Sequence, residues 1–131
     1  MLHNGGKDMV SSAVGDSSGS RAAAANYMAL TANTTSPAAG DTTLASEIAT
    51  ASGGLIRAQA TYAHTGGTAT FTLTKTFTAN GNDSLPVTIG KVGIFNASSS
   101  GTMVWSTLLS PTATISASGD ALTVTETVTV S

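Results

Sequence analysis

The run Thr70-Phe71-Thr72-Leu73-Thr74-Lys75-Thr76-Phe77-Thr78-Ala79 decides the fold class. Its period is two: Phe71, Leu73, Phe77 and Ala79 share one parity, and Thr70, Thr72, Thr74, Thr76 and Thr78 share the other. Successive side chains of a strand point to opposite faces, and a β-branched threonine suits an exposed pleated surface, so this is a half-buried strand with one wet face. The C-terminal run repeats the plan, with Leu122, Val124, Val128 and Val130 facing in and Thr123, Thr125, Thr127 and Thr129 facing out.

Each strand carries one charge within its apolar parity: Lys75 between Leu73 and Phe77, and Glu126 between Val124 and Val128. A buried unpaired charge costs on the order of several kcal/mol. Two arrangements avoid that cost. Lys75 and Glu126 meet as an ion pair, across neighbouring strands or between subunits, or each reaches solvent at an incompletely covered sheet with the lysine stem lying along apolar surface.

Working outward, short apolar and threonine-rich runs separated by Gly, Asn, Asp and Ser follow Asn26. They place strands at 27–31, 55–65, 68–79, 87–96 and 102–109, and two more between 113 and the end. Gly66-Gly67 reads as a hairpin turn, because both glycines tolerate positive φ, and Gly119-Asp120 as the turn between the last two strands. Asp41 is a cap for one or two helical turns carrying Leu44 and Ile48 on one side. Upstream, Leu2, Met9, Val10, Ala13 and Val14 recur near helical spacing, which predicts a short helix over 7–14, limited by the Asn4-Gly5-Gly6 turn and stopped at Gly15. Residues 15–25 hold no large apolar side chain and read as a linker or an arm. The expected architecture is all-β: an antiparallel β-sandwich, jelly-roll or immunoglobulin-like, of about seven strands. Residues 26–131 form that domain, and residues 1–25 form an N-terminal helix or extended arm.

Composition narrows the function. Charged residues make up 9% of the chain, far below the roughly 25% of ordinary soluble domains. Lys7, Arg21, Arg57, Lys75 and Lys91 are scattered singly, and the net charge of -2 offers no basic stripe, so nucleic acid is not an expected partner. With no cysteine there is no disulfide framework and no thiolate metal site. The stretch from Met1 to Val14 lacks the apolar run of a signal peptide, and no segment approaches the roughly 20 apolar residues of a membrane span, so synthesis in the cytoplasm without a membrane partner is expected.

Reactive chemistry has little to work with. His3 and His64 are the available imidazole bases; one sits at the start of the chain, the other before a turn, and neither has a nucleophile motif around it. Asp16, Asp41, Asp83 and Asp120 neighbour turn residues, where the carboxylate caps backbone donors. The Asn80-Gly81-Asn82-Asp83 run lacks the spaced carboxylates of a calcium loop. No catalytic residue, cofactor or metal is therefore expected.

The ordered set Leu2-His3-Asn4-Gly5-Gly6, Asn26-Tyr27-Met28-Ala29-Leu30, Thr34-Thr35-Ser36-Pro37-Ala38-Ala39-Gly40-Asp41, Lys91-Val92-Gly93-Ile94-Phe95-Asn96-Ala97, Leu109-Ser110-Pro111 and Gly119-Asp120-Ala121-Leu122 resembles a family of small structural proteins of tailed bacteriophages. It departs at Thr31-Ala32-Asn33, where that family's pattern has a glycine-threonine turn. The resemblance implies a virion component and brings no catalytic residues with it. Low-charge, threonine-rich strands with free edges are prone to aggregate, which calls for a protein neighbour to cover them. The expectation is a decoration or cement protein on a capsid, working as an oligomer against other virion proteins. A tail, collar or baseplate piece is a second reading, and a module binding host-surface glycan or protein a third. The contact candidates are Leu2, Met9, Val10 and Arg21 in the N-terminal segment, and the tips at Asn82 and Ser99.

Overall fold

The computed structural model describes residues 1–19 and 22–131, so the contact candidate Arg21 lies outside the described residues. In chain order the elements are α1 (Asn4–Gly15), β1 (Tyr27–Thr31), β2 (Ala58–Gln59), β3 (Thr61–His64), β4 (Thr70–Thr78), β5 (Val87–Phe95), β6 (Met103–Ile115) and β7 (Ala121–Thr129). The strands form two antiparallel sheets, ordered β2-β1-β5-β6 and β3-β4-β7, packed face to face as a β-sandwich. Between them lies a core of Met28, Leu30, Ile89, Val92 and Ile94 from one sheet and Leu73, Phe77 and Val124 from the other.

The period-two reading of the two decisive strands holds along the β4–β7 ladder. Leu73, Phe77 and Val124 are buried while the threonines line the other face, where Thr74 and Thr125 share a hydroxyl hydrogen bond at 3.2 Å and Thr76 and Thr123 another at 2.8 Å. Cross-strand hydroxyl pairs of this kind are a unit of sheet stabilisation. The turn joining β3 to β4 closes with the Thr68 amide donating to the Thr65 carbonyl, and only Gly67 takes positive φ (+82°). Gly119 (φ +94°) turns the chain into β7, with Asp120 accepting from the amides of Ser116 and Ala117.

Seven strands form among the described residues, though not the seven expected. The predicted strand over 55–65 divides at Ala60, which is buried where the chain leaves the first sheet for the second and gives its amide to Asn26. The two strands predicted on either side of Pro111 are instead one, because Pro111 sits where the β5–β6 register slips between Leu108 and Ala113, a place where a missing amide breaks no ladder bond. The predicted helical turns at Asp41 to Ile48 do not form. Thr31 Oγ1 lies 2.7 Å and 3.0 Å from the Ala45 and Ser46 carbonyls, and the Ile48 amide goes to Leu30, so the polar backbone there serves β1 instead of a helix.

Segment 32–57 is therefore irregular chain: Leu44 packs with Ala29, Phe95 and Met103 in a second small core on the outer face of the first sheet, while Leu55 enters the main core. Helix α1 starts earlier than the spacing predicts, because Asn4-Gly5-Gly6 is its first turn and no barrier to it. An added Cβ on Gly6 would stand 2.5 Å from the Val104 carbonyl oxygen, so the absent side chain is what lets the helix rest on β6. Ahead of it, residues Met1 to His3 run along β6: His3 donates its amide to Val104, Ser106 donates to Met1, and Leu2 bridges Trp105. The start of the chain, Met1 to Gly6, is thus built onto β6, while the later turns of α1 are largely exposed.

The same substitution should act oppositely at two ends of α1. Gly6→Ala is expected to lower unfolding free energy by about 2 kcal/mol through overpacking on β6. Gly15→Ala, with nothing near its Cβ position, should raise it by about 0.5 kcal/mol. Urea unfolding followed by circular dichroism reads both.

Candidate functional site

The imidazoles are committed to structure. His3, at the start of the chain, is fully buried: Nδ1 lies 2.8 Å from the Ala38 carbonyl and Nε2 2.9 Å from Ser106 Oγ. A carbonyl can only accept, so Nδ1 carries the proton and, in the neutral ring, Ser106 donates to Nε2. His64 stands exposed on β3, with Nδ1 2.8 Å from the Thr70 carbonyl. Among the described residues, no three His, Cys, Asp or Glu side chains gather where they could hold a metal ion. The Asp83 carboxylate is spent on the amides of Asn80, Gly54 and Leu55 at 2.8, 2.9 and 3.3 Å. Desolvation pushes its pKa up, but the three amides together outweigh this and leave it below the ordinary aspartate value.

Surface features carry more. Met9 and Val10 were contact candidates from sequence, and the fold brings them together with Tyr62, Phe71 and Trp105 around an apolar groove of about 480 Å³ between α1 and the sheets. The rings form a chain: Tyr62 to Phe71 at 5.5 Å between centroids, and Phe71 edge-on to Trp105 at 6.3 Å. Val10, Val14 and Tyr62 are 51%, 86% and 58% exposed, a notable apolar display for so small a domain. Leu2 is exposed beside the same helix, its Cδ1 lying 2.7 Å from where a Gly6 Cβ would stand. Asn82 and Ser99 lie elsewhere. Asn82 donates to the Ser52 carbonyl, and Ser99 borders a cleft with Thr50, Ala51 and Arg57, so both flank segment 49–57.

The second surface feature is the rim of β7. Val130 gives its amide to Ala69, and Asp120 accepts from Ala79, so the even-numbered backbone groups of this strand face β4. Alternation then turns the amides and carbonyls of Thr123, Thr125, Thr127 and Thr129 to the outer rim, where no backbone pairing crosses among the described residues. The rim of this nine-residue strand carries no lysine and no proline, its one charge being Glu126, which reaches inward to Thr107.

No family model matches this chain, and no curated protein matches it. Among the described residues, no helix is long and apolar enough to cross a membrane.

Sequence reasoning missed the anchor of the whole surface loop. Arg57 grips Glu47 with two bonds, Nε to Oε2 at 3.1 Å and Nη2 to Oε1 at 2.6 Å, while Nη1 donates to the carbonyls of Ala97 and Ser100. The guanidinium carbon also lies 3.6 Å from the centroid of the Phe95 ring. A lone arginine in an apolar stretch gives no sequence signal for such a role.

The anticipated Lys75–Glu126 pair is not closed within the chain. Lys75 stands opposite Val124 and Glu126 opposite Leu73, diagonal on neighbouring strands, yet the one salt bridge among the described residues is Arg57–Glu47. Glu126 instead accepts from the Thr107 hydroxyl at 3.3 Å, reaching toward β6 and away from the lysine. Burial pushes the Glu126 carboxyl above its ordinary value, and the Thr107 hydroxyl and the terminal amino group pull it only partway back.

Arg57→Met is expected to lower stability by about 3 kcal/mol, since it leaves a largely buried Glu47 unpaired. Arg57→Lys should recover only part of that, because an ammonium cannot match the two-point grip. Glu126 holds its proton more tightly folded than unfolded, so its ionised form disfavours the fold above the folded pKa and this penalty disappears below about pH 4. Glu126→Gln should accordingly raise the melting temperature at neutral pH and leave it unchanged in acid, as scanning calorimetry at both pH values would register.

Proposed function

We propose that this chain is a structural subunit of a tailed-bacteriophage particle, and specifically a decoration protein that reinforces the capsid through protein contacts. The observation that carries the reading is the unpaired outer rim of β7, a nine-residue edge whose one charge, Glu126, reaches inward to Thr107 and which carries neither lysine nor proline. The apolar groove beside α1 supports it as a second adhesive surface. Repeated over many equivalent positions, contacts of modest individual strength sum to a firm attachment. The ordered motifs from Leu2 to Leu122 that resemble small phage structural proteins point the same way. In this reading the neighbours are other virion proteins and further copies of this chain, and no reactive group is presented to a substrate.

One observation favours a different role. Tyr62 is an exposed ring beside His64 and Thr70, the kind of flat face on which a sugar stacks, which suits a module that recognises a host surface.

Quantitative mass spectrometry of purified particles separates the possibilities. Hundreds of copies per particle are expected, tens would move the protein to the tail, and none would end the virion reading. Thr127→Pro removes a rim-facing amide without touching the β4 ladder, so it should fold normally and yet incorporate at least tenfold less. Retention of glycan binding by the isolated chain would instead support host recognition.

A further inference from the structure

Lys91 is 5% exposed on β5, beneath the segment that covers the outer face of the first sheet. Its Nζ donates to Asn33 Oδ1 at 3.2 Å and to the Thr35 carbonyl at 2.9 Å. Both acceptors are neutral. An ammonium has three N–H donors, and the third has no acceptor among the described residues; no carboxylate stands within ion-pair distance either. Burying a cation against neutral dipoles alone is costly, and a built-in carboxylate is the usual remedy. Here the remedy is absent from the chain while space for it is present, because Lys91 lines a cleft of about 420 Å³. Its mouth is furnished with the hydroxyl-bearing residues Ser36, Thr42 and Thr43.

Asp41 also borders this cleft, yet it is held elsewhere. Its Oδ2 accepts the Ala38 amide at 2.9 Å and its own amide closes the same turn back on the Ala38 carbonyl. It is a nearby negative charge that weakens anion binding without supplying the missing bond.

We infer that the Lys91 cleft is a carboxylate-binding site, filled by an acidic group from outside the chain. The ligand needs one oxyanion small enough to enter and hydrogen-bond the free ammonium proton, with the surrounding hydroxyls as secondary donors. Two sources fit this chemistry: an Asp or Glu side chain of a neighbouring subunit, or a free carboxylate. The first rests on the particle role proposed above and the second does not.

The test starts with the isolated chain, labelled with ¹³C-lysine, whose ε-methylene signals report Lys7, Lys75 and Lys91 separately. Sodium acetate is titrated against sodium chloride at matched ionic strength. Lys91 alone should shift saturably in the millimolar range, and the amides of Thr42 and Thr43 should shift with it. Asp41→Asn should tighten half-saturation severalfold. Lys91→Met should abolish the Thr42 and Thr43 shifts, its folding being checked in the same spectra. Equal, linear shifts of all three lysines, or none, would mean that water solvates the third proton, and this overturns the site. On purified particles, carbodiimide joins carboxylates to amines in contact. A Lys91 cross-link to a neighbour's acidic residue assigns the site to the interface, whereas saturable acetate binding without a cross-link assigns it to a free carboxylate. Because acetate binding is measured without particles, its failure is separable from failure of the virion reading.

Discussion

The grip of Arg57 on Glu47 and on the Phe95 ring is the interaction from which the rest of the molecule takes its shape. β5 is buried on both faces along most of its length, and the partner sheet covers only one of them. The other falls to segment 32–57, which seats Leu44 on that face and sends Leu55 into the main core. Apolar burial works there against a loss of about 1–2 kcal/mol of backbone entropy for each ordered residue. The guanidinium makes up the difference by joining Glu47 to the carbonyls of Ala97 and Ser100 across the top of β5. Ser46 and Ser100, beside its anchor points, hold positive φ of 56° and 53°, local strain that persists only because the surroundings fix it.

With that face closed, the edges of the sandwich become the remaining problem, and the chain treats them unequally. β2 is two residues long and offers little to pair with. From Val104 to Ser106 the rim of β6 is occupied by Met1 to His3, locked down by the buried imidazole of His3, and Gly6 lets α1 settle against the same strand. β7 has no such strap along its outer rim among the described residues. The same N-terminal residues that guard one rim also create the groove, because α1 stands off the aromatic row of Tyr62, Phe71 and Trp105.

What could be read from sequence followed the position of water. β4 and β7 have one wet face and one dry one, so their threonines and apolar residues alternate visibly, and both strands were placed within a residue or two. β5 is buried on both faces along most of its length, so its Lys91 looked like one more scattered surface cation when it is an interior one. The break at Ala60 and the continuity through Pro111 depend on which sheet the chain is serving, and no local pattern encodes that. Gly5-Gly6 misled for a related reason: their value is the close approach of β6, a partner a hundred residues away. Of the contact candidates, Met9 and Val10 were legible as an apolar helical stripe, whereas Arg57, His3 and the Lys91 cleft exist only through tertiary contacts.

Trp105 sits at the junction of α1, β6 and the aromatic row, with its Nε1 buried and without an acceptor among the described residues. It is the only tryptophan in the chain, so the protein's indole emission has a single origin. An indole in a dry setting emits in the blue, and any ligand, neighbour or loosening of the helix that brings an oxygen to that nitrogen would red-shift it. The molecule thus carries its own optical gauge of whether the seam between its N-terminal helix and its β-sandwich is closed, with no label added.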